Sequence, residues 1–515
     1  MFTRTLRAGR RVVSPGLRGF SGAGGGGHVE DAFERTDSPN QASLYVHWPY
    51  CLRRCTYCNF NKYIPGENND LTMTECLQRE TDTLLQLSQV SCITSVFFGG
   101  GTPSLAPAST VAAVLQTVSS RAHLSGEAEV TLEVNPTPAG KSRLADYRRA
   151  GVNRFSIGVQ SLQDEDLKTL GRDHSSRQAL QTVEEARRLC PGRVSLDVMF
   201  GRPGQSAASW ERELRELLRV CDDHVSLYQL TVERGTQLFK QVQRGEVAVP
   251  AEDAIAEMYR CARRTLRQHG FLQYEVSNFA RNKAVSHHNT SYWKGRQYIG
   301  VGPGAHGRFA PLGEGGVVRE ARTQTLEPDV WMREVQQRGH GTRRRIQLGR
   351  RELLEEVLVM GMRMTGGINH KHWAMFSPRL GLREAFGSSS EVQELLQDGR
   401  LILDDRGLRC SWDGLVVLDS MLPALLVELE RQIAEGSPKR AHASDSSLKP
   451  EEWVGYARKR QEFDVGSLHG ADFESNTSLT PPPSHAIPSP PETCSPHQPQ
   501  VAGEARAARQ RVHGG

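Results

Sequence analysis

Three cysteines, Cys51, Cys55 and Cys58, fall within eight positions of the stretch YVHWPYCLRRCTYCNF, Tyr45 to Phe60. Three chemistries compete for thiols so spaced. Zinc would want four donors, usually two CxxC-like pairs or a pair with histidines, and no second pair follows. A redox dithiol needs only two thiols. A [4Fe–4S] cluster held by three cysteines leaves one iron without a protein ligand, which is useful only if something else binds there. The other seven cysteines (Cys76, Cys92, Cys190, Cys221, Cys261, Cys410, Cys494) are scattered over 515 residues, too sparse for a disulfide scaffold. They read as reduced thiols, and the group of three as a metal or redox feature.

The group must be held by something rigid. From Leu44 the chain alternates nearly continuous apolar runs with amphipathic stretches. The runs are SLYVHW, SVFFGGG, EVTLEVNP, RFSIGVQS, VSLDVMFG and HVSLYQLTVE; the stretches include Thr74–Val90, Ser175–Cys190 and Ser206–Val220. Runs apolar throughout suit strands covered on both faces. Strand–helix alternation predicts a parallel sheet with right-handed crossovers. Six such units predict an α/β fold, a closed or partial barrel, with a doubly wound sheet as the alternative. Polar and glycine-rich signatures end almost every run, which favours a barrel, whose sites are built from the loops at one face. An open sheet concentrates its signature at one switch point. In GGGTPS, Gly99 to Ser104, glycines would let backbone approach a ligand. That segment lacks the Gly-Lys-Ser/Thr ending of a phosphate loop. Asp197 ends an apolar run, where a carboxylate is costly unless partnered.

Past Pro250 come a helical stretch, Ala254–Gln268, then YEVSNFA and the Gly-rich YIGVGPGAHGR. A second module is expected from Arg343: a helix stopped at Gly366-Gly367, then helix, hairpin and helix, a small α+β pattern of winged-helix type. It offers no basic recognition helix, so no nucleic-acid partner is expected. The start of the chain is Arg-rich, contains Ser and has no acid before Glu30, the profile of a mitochondrial transit peptide. From Gly436 the composition turns to Ser, Pro and charge, which cannot form a core. The expected division is 1–40 transit peptide and linker, 41–342 core, 343–435 module, and 436–515 disordered tail. The net charge of +5 is mild for this length. No apolar run is long enough to span a bilayer, which argues against an integral membrane protein and leaves a peripheral contact open.

Cys51-x3-Cys55-x2-Cys58, followed in order by GGGTPS, EVNP, GVQS, LGRDH and LDVMFG, resembles the radical S-adenosylmethionine (SAM) superfamily over about residues 43 to 240. The resemblance implies a partial (β/α) barrel of TIM-like type. It implies a [4Fe–4S] cluster on Cys51, Cys55 and Cys58, whose open iron is chelated by SAM's amino and carboxylate groups. One electron passed to the sulfonium then forms a 5′-deoxyadenosyl radical. It also implies Tyr45 near SAM and Tyr57 beside cluster and adenine. Backbone of Gly100, Gly101 and Thr102 would meet the methionine amine, and Glu133 the ribose hydroxyls or ammonium. Gln160, Arg172 and Asp197 would complete the SAM site, with Arg172 pairing the carboxylate.

YVHWPYC, FFGGGTPSL, YEVSNFA, HNTSYW and YIGVGPGAHG narrow the resemblance, over roughly residues 43 to 430, to one branch. It holds the oxygen-independent coproporphyrinogen III dehydrogenases and the HemW-type haem chaperones. The dehydrogenases carry a fourth cysteine two positions after the third; here that position is Phe60. The HemW type carries an H-N-x-x-Y-W motif implicated in haem binding, here His288 to Trp293. The resemblance thus implies haem as a ligand, with His288 on its iron, His287 as a competing ligand and His306 as a weaker candidate. It implies a haem chaperone, with an apo-haem protein as recipient, in the mitochondrial matrix. Whether the chain is an enzyme stays open: the alternatives are oxidative decarboxylation of porphyrinogen propionates and a degenerate scaffold without SAM chemistry.

Overall fold

All six apolar runs form neighbouring parallel strands: β1 (Gln41–Trp48), β2 (Cys92–Gly100), β3 (His123–Val134), β4 (Arg154–Gln160), β5 (Val194–Phe200) and β6 (His224–Gln229). The structure is a computed structural model that describes residues 40–66, 70–312 and 318–435. The register pairs Tyr45 with Phe97 and Trp48 with Gly100, so the strands end together and their loops gather at one rim. Strands buried on both faces need covering helices, and the amphipathic stretches supply them. Helix Asp70–Leu87 buries Met73, Leu77 and Leu84; helix Ser176–Leu189 buries Ala179 and Val183; helix Ala207–Val220 buries Trp210 and Leu214. The last two start at Ser175 and Ser206, each closing a reciprocal capping box with the third helical residue.

The sheet extends past the six strands. β7 (Leu272–Gln273) and β8 (Asn278–Ala280) add antiparallel beyond β6. Beyond β1, β9 (Tyr298–Val301) adds parallel, followed by antiparallel β10 (His306–Phe309), β11 (Glu320–Gln324) and β12 (Thr342–Gln347). Among the described residues the outermost strands β12 and β7 do not pair with each other, so the barrel is partial.

The second module has its own apolar core, including Leu354, Leu358, Trp373, Phe386 and Leu422. It comprises helix Arg350–Gly361, a small sheet of β13 (Ile368–Asn369), β14 (Leu401–Asp404) and β15 (Gly407–Cys410), and helix Leu418–Glu435. The expected boundary at 342/343 needs correction: it cuts β12, which pairs with β11 through Gln347. β12 is exposed along almost its whole length and carries Arg343, Arg344 and Arg345, so no apolar alternation announces it. No described helix is long and apolar enough to cross a membrane. The expected transit peptide, apart from Asn40, and the expected tail lie outside the described residues.

Candidate functional site

Cys51 leaves β1 at the rim, and the loop carrying the three thiols is tied down on both sides. Cys51 N–H donates to the Tyr63 carbonyl at 2.9 Å, and Tyr63 N–H to the Pro49 carbonyl at 2.8 Å. Beneath the loop, His47 bridges Tyr45 Oη and the Asn61 carbonyl, both at 2.9 Å. Asn61 Nδ2 in turn donates to the Pro303 and Leu326 carbonyls at 3.0 and 3.1 Å. Thr56, between two of the cysteines, donates from its N–H to the Leu170 carbonyl at 3.0 Å and from Oγ1 to the Thr169 carbonyl at 2.9 Å.

Cys51, Cys55 and Cys58 are free thiols that line one cavity. Thr102 Oγ1 donates to Cys51 Sγ at 3.3 Å, and Arg172 Nη1 to Cys55 Sγ at 3.4 Å. Lys62 Nζ donates to the Cys58 carbonyl at 2.5 Å. Among the described residues no three Cys, His, Asp or Glu side chains converge on a single metal ion. Three thiols on one cavity match in number the thiolates that a [4Fe–4S] cluster with one open iron takes. Burial pushes the Cys51 thiol up to about 11 and raises that of Cys58, so both keep their protons until a metal displaces them.

The same cavity is lined by Tyr57, Gly100, Gly101, Thr102, Glu133, Gln160, Arg172 and Asp197. Its space, open mouth included, is about 1540 Å³. Two of its glycines are dictated by space. A Cβ on Gly100 would lie 2.6 Å from the His47 ring at φ +114°, and one on Gly101 2.8 Å from Pro49 backbone. Gly100→Ala is accordingly expected to destabilise by about 2 kcal/mol or more, from left-handed strain plus a ring that cannot retreat from its two hydrogen bonds. Urea denaturation of the purified variant checks it.

Gln160 holds φ 63°, an uncommon conformation for a non-glycine residue, where the β4–β5 register shifts. Its Oε1 and the Nε of Arg172 are buried without a hydrogen-bond partner. Orphaned polar atoms aimed at a cavity are what a polar ligand would satisfy. Asp197 accepts from Ser156 Oγ at 2.7 Å and Ser195 Oγ at 3.1 Å; burial nevertheless raises its carboxyl.

Glu133 accepts from Gly100 N–H at 3.2 Å and is pushed up to about 8, first by burial and then by Asp197. The folded protein therefore keeps a proton there that the unfolded chain releases near pH ~4.3. Stability contributed by that proton is present at low pH and lost as pH rises through about 8. Cofactor-free Glu133→Gln is expected to show a flatter profile between pH 5.5 and 8.5, the wild type losing about 1 kcal/mol or more relative to it. Urea unfolding at the two pH values measures the difference.

The deep end of the cavity adds residues that sequence reasoning missed: Glu275, Asn278, Asn289, Trp293 and Arg363. Asn278 Oδ1, Asn289 Oδ1, Trp293 Nε1 and Arg363 Nε are buried without hydrogen-bond partners, and the fully buried Glu275 carboxyl lies beside Arg363, Ser277 and Asn278. The only hint in the sequence is a carboxylate in YEVSNFA and an Asn and Trp in HNTSYW. Arg363 comes from the second module, so no local pattern could place it here.

Two expected site residues do not reach the cavity. Tyr45 is buried, packs on Phe97 and hydrogen-bonds His47; it supports the glycine cradle from behind. His288 needs the larger correction. It lies in helix His287–Trp293, fully enclosed, with Nδ1 3.0 Å from Ser95 Oγ and its ring stacked on Phe97 at 4.9 Å. Burial pushes its imidazole down to about 3, so it is neutral, and Nε2 has no hydrogen-bond partner. No flat macrocycle has room at that nitrogen in this packing. Glu129, another residue missed from sequence, holds the helix by accepting from His287 N–H at 3.1 Å and His288 N–H at 3.0 Å. His306 is likewise buried, on β10, and His287 is exposed.

Comparison with known proteins completes the picture. Residues 45–217 match the radical SAM superfamily and residues 348–417 the HemN C-terminal domain. The mitochondrial radical S-adenosyl methionine domain-containing protein 1 of Danio rerio is 70% identical over 391 residues, covering 76% of this chain and 88% of that protein. Its Bos taurus counterpart is 60% identical over 77% of this chain and 90% of its own length. The heme chaperone HemW of Bacillus subtilis is 30% identical over 75% of this chain and 100% of its own. Among solved structures, the coproporphyrinogen III oxidase HemN of Escherichia coli, a radical SAM enzyme, superposes with a TM-score of 0.63 at 18% identity. It covers 76% of this chain and 91% of that one. That likeness is one of fold.

Proposed function

Since this chain belongs to the radical SAM superfamily, in the family that joins radical SAM domain-containing protein 1 to HemW, we propose that it is a mitochondrial haem chaperone built on a cluster-bearing SAM site. Cys51, Cys55 and Cys58 hold a [4Fe–4S] cluster, and SAM occupies the adjoining wall. The observation that carries the cofactor reading is the meeting of three free thiols, a glycine cradle and orphaned buried polar atoms on one cavity. Such a cluster, when bound, supplies one electron at low potential.

This chain's own residues do the rest. Thr102 and Arg172 donate hydrogen bonds to two of the sulfurs and offset the charge they acquire on binding iron. Gly100 and Gly101 keep the wall flat, so backbone groups meet the ligand. Glu133 and Asp197 put carboxyl oxygens where a cationic or hydroxyl-bearing cofactor needs acceptors. Tyr57, half-buried between two thiol positions, lines one side of the site.

Haem is proposed as the cargo on the strength of the kinship with HemW, and an apo-haem protein as its recipient. The matrix is the proposed compartment, since the Danio rerio and Bos taurus relatives compared above carry "mitochondrial" in their names. The test is anaerobic reconstitution with iron and sulfide, followed by haem titration and porphyrinogen turnover on one sample. The expected result is a reduced-cluster signal after dithionite, stoichiometric haem binding and transfer to an apo-haem protein, without turnover of coproporphyrinogen III. Turnover would make the chain a dehydrogenase instead; absence of a cluster signal would remove the cofactor reading altogether.

A further inference from the structure

A second crevice opens at the opposite end of the barrel from the thiols, against the N-terminal ends of β1 and β2, where Gln41 to Ser43 and Thr94 form its floor. It holds about 680 Å³ with its open mouth counted. Its walls come from two places. One is the turn Lys294 to Arg296 that directly follows the H-N-x-x-Y-W helix, with Arg319 beside it. The other is the module helix His370–Phe376, which presents His372, Met375 and Phe376 to the crevice. These three are spaced i, i+3 and i+4 and so share one helix face. Arg319 ties the walls together: it donates to the Gly295 carbonyl, and its guanidinium lies 5.1 Å from the Phe376 ring centroid.

The lining has the parts an iron tetrapyrrole needs. An imidazole is an axial ligand for haem iron. A thioether and a phenyl ring pack on the macrocycle's face. Three cations, Lys294, Arg296 and Arg319, answer its propionate carboxylates. His372 is half-buried and Met375 is 47% exposed, so both are reachable without unfolding. The SAM cavity, by contrast, is the one assigned above to the cluster and SAM. His288 is enclosed. Its motif leads directly into the turn Lys294 to Arg296 that forms one crevice wall, so it acts on this site by holding that turn.

We propose that haem docks in this crevice, with His372 as its single protein iron ligand and Lys294, Arg296 and Arg319 on its propionates. The proposal rests on the haem-binding reading above. Met375 cannot supply the second axial bond, because a residue one turn along the same helix meets the same face of the macrocycle. One imidazole with the opposite face open suits a cargo that must leave.

The test is haemin titration of the full chain, followed by Soret absorbance and by electron paramagnetic resonance of the ferric spin state. His372→Ala, His372→Cys and His288→Ala are compared with wild type, each checked by far-ultraviolet circular dichroism. His372→Ala is expected to weaken binding at least tenfold and erase the imidazole-ligated spectrum. His372→Cys is expected to replace it with a thiolate-ligated one. His288→Ala, if folded, is expected to keep the wild-type spectrum; if it does not fold, the His372 pair decides alone. Unchanged affinity and spectrum in both His372 variants would overturn the site, as would loss confined to folded His288→Ala. If wild type binds no haemin, the haem-chaperone reading itself fails, and that outcome is distinct from the others.

Discussion

Cys55→Ser is expected to leave the fold intact and strip the protein of its iron. Cys55 is only half-buried in a loop, and its sulfur contacts Arg172 rather than an apolar core, so loss of the thiol removes little packing. A serine hydroxyl is a harder and far less acidic donor than a thiol, and two remaining thiolates do not hold a cubane. After anaerobic reconstitution the variant should retain at least tenfold less iron and acid-labile sulfide than wild type and give no signal after dithionite. Cys190→Ser is the control: that thiol is buried beneath the sheet, away from the cavity. It should lower stability and leave iron loading unchanged. Equal iron in the Cys55 variant and wild type would refute the cluster assignment, whatever the haem results.

Glu213→Ala should produce the largest loss of stability, about 3–5 kcal/mol. Glu213 sits on helix Ala207–Val220 and is almost wholly buried. It accepts from Ser161 Oγ and Leu162 N–H, both at 2.7 Å, and from the guanidinium of Arg202, which is also buried. Removing the carboxylate leaves the buried Arg202 with only Asp166, at 3.3 Å, as a counter-charge and strands the Leu162 N–H. The damage also reaches the SAM wall, because Ser161 and Leu162 directly follow Gln160, whose positive φ the turn must hold. Pairing the change as Glu213→Leu with Arg202→Met should recover much of the loss, since a buried ion pair replaced by apolar groups is often near neutral. Equilibrium urea denaturation of the three proteins measures both effects. A loss under about 1 kcal/mol for the single variant would mean that the pair is more solvated than its burial implies.

Much of the site was legible because its chemistry is local in sequence. Three cysteines within eight residues, a glycine run at a strand end and carboxylates ending apolar runs are patterns that period and composition expose. The six parallel strands were equally open to reading, since strands buried on both faces must be apolar throughout. The strands beyond them were not. β12 is an exposed, arginine-rich edge that pairs through its backbone, and β7 and β13 have two residues each. Backbone pairing leaves no mark on side-chain pattern.

The residues proposed for haem show the same divide. The motif His288 to Trp293 announces itself as a string, but the string does not say which side chains face solvent. Ser95, Phe97 and Glu129, from strands more than 150 residues earlier, decide that His288 is enclosed and neutral. His372 carries no motif at all; it faces the crevice only because the second module packs its short helix against the turn at Lys294.

By itself, then, the sequence marked the three clustered thiols as a metal or redox feature and revealed the order of the barrel strands, because thiol spacing and burial on both faces are constraints between near neighbours in the chain. Only the tertiary structure decided which polar groups lack partners, which histidine is enclosed and where the module closes a second crevice. Those depend on contacts between residues far apart in the chain, which no local pattern encodes.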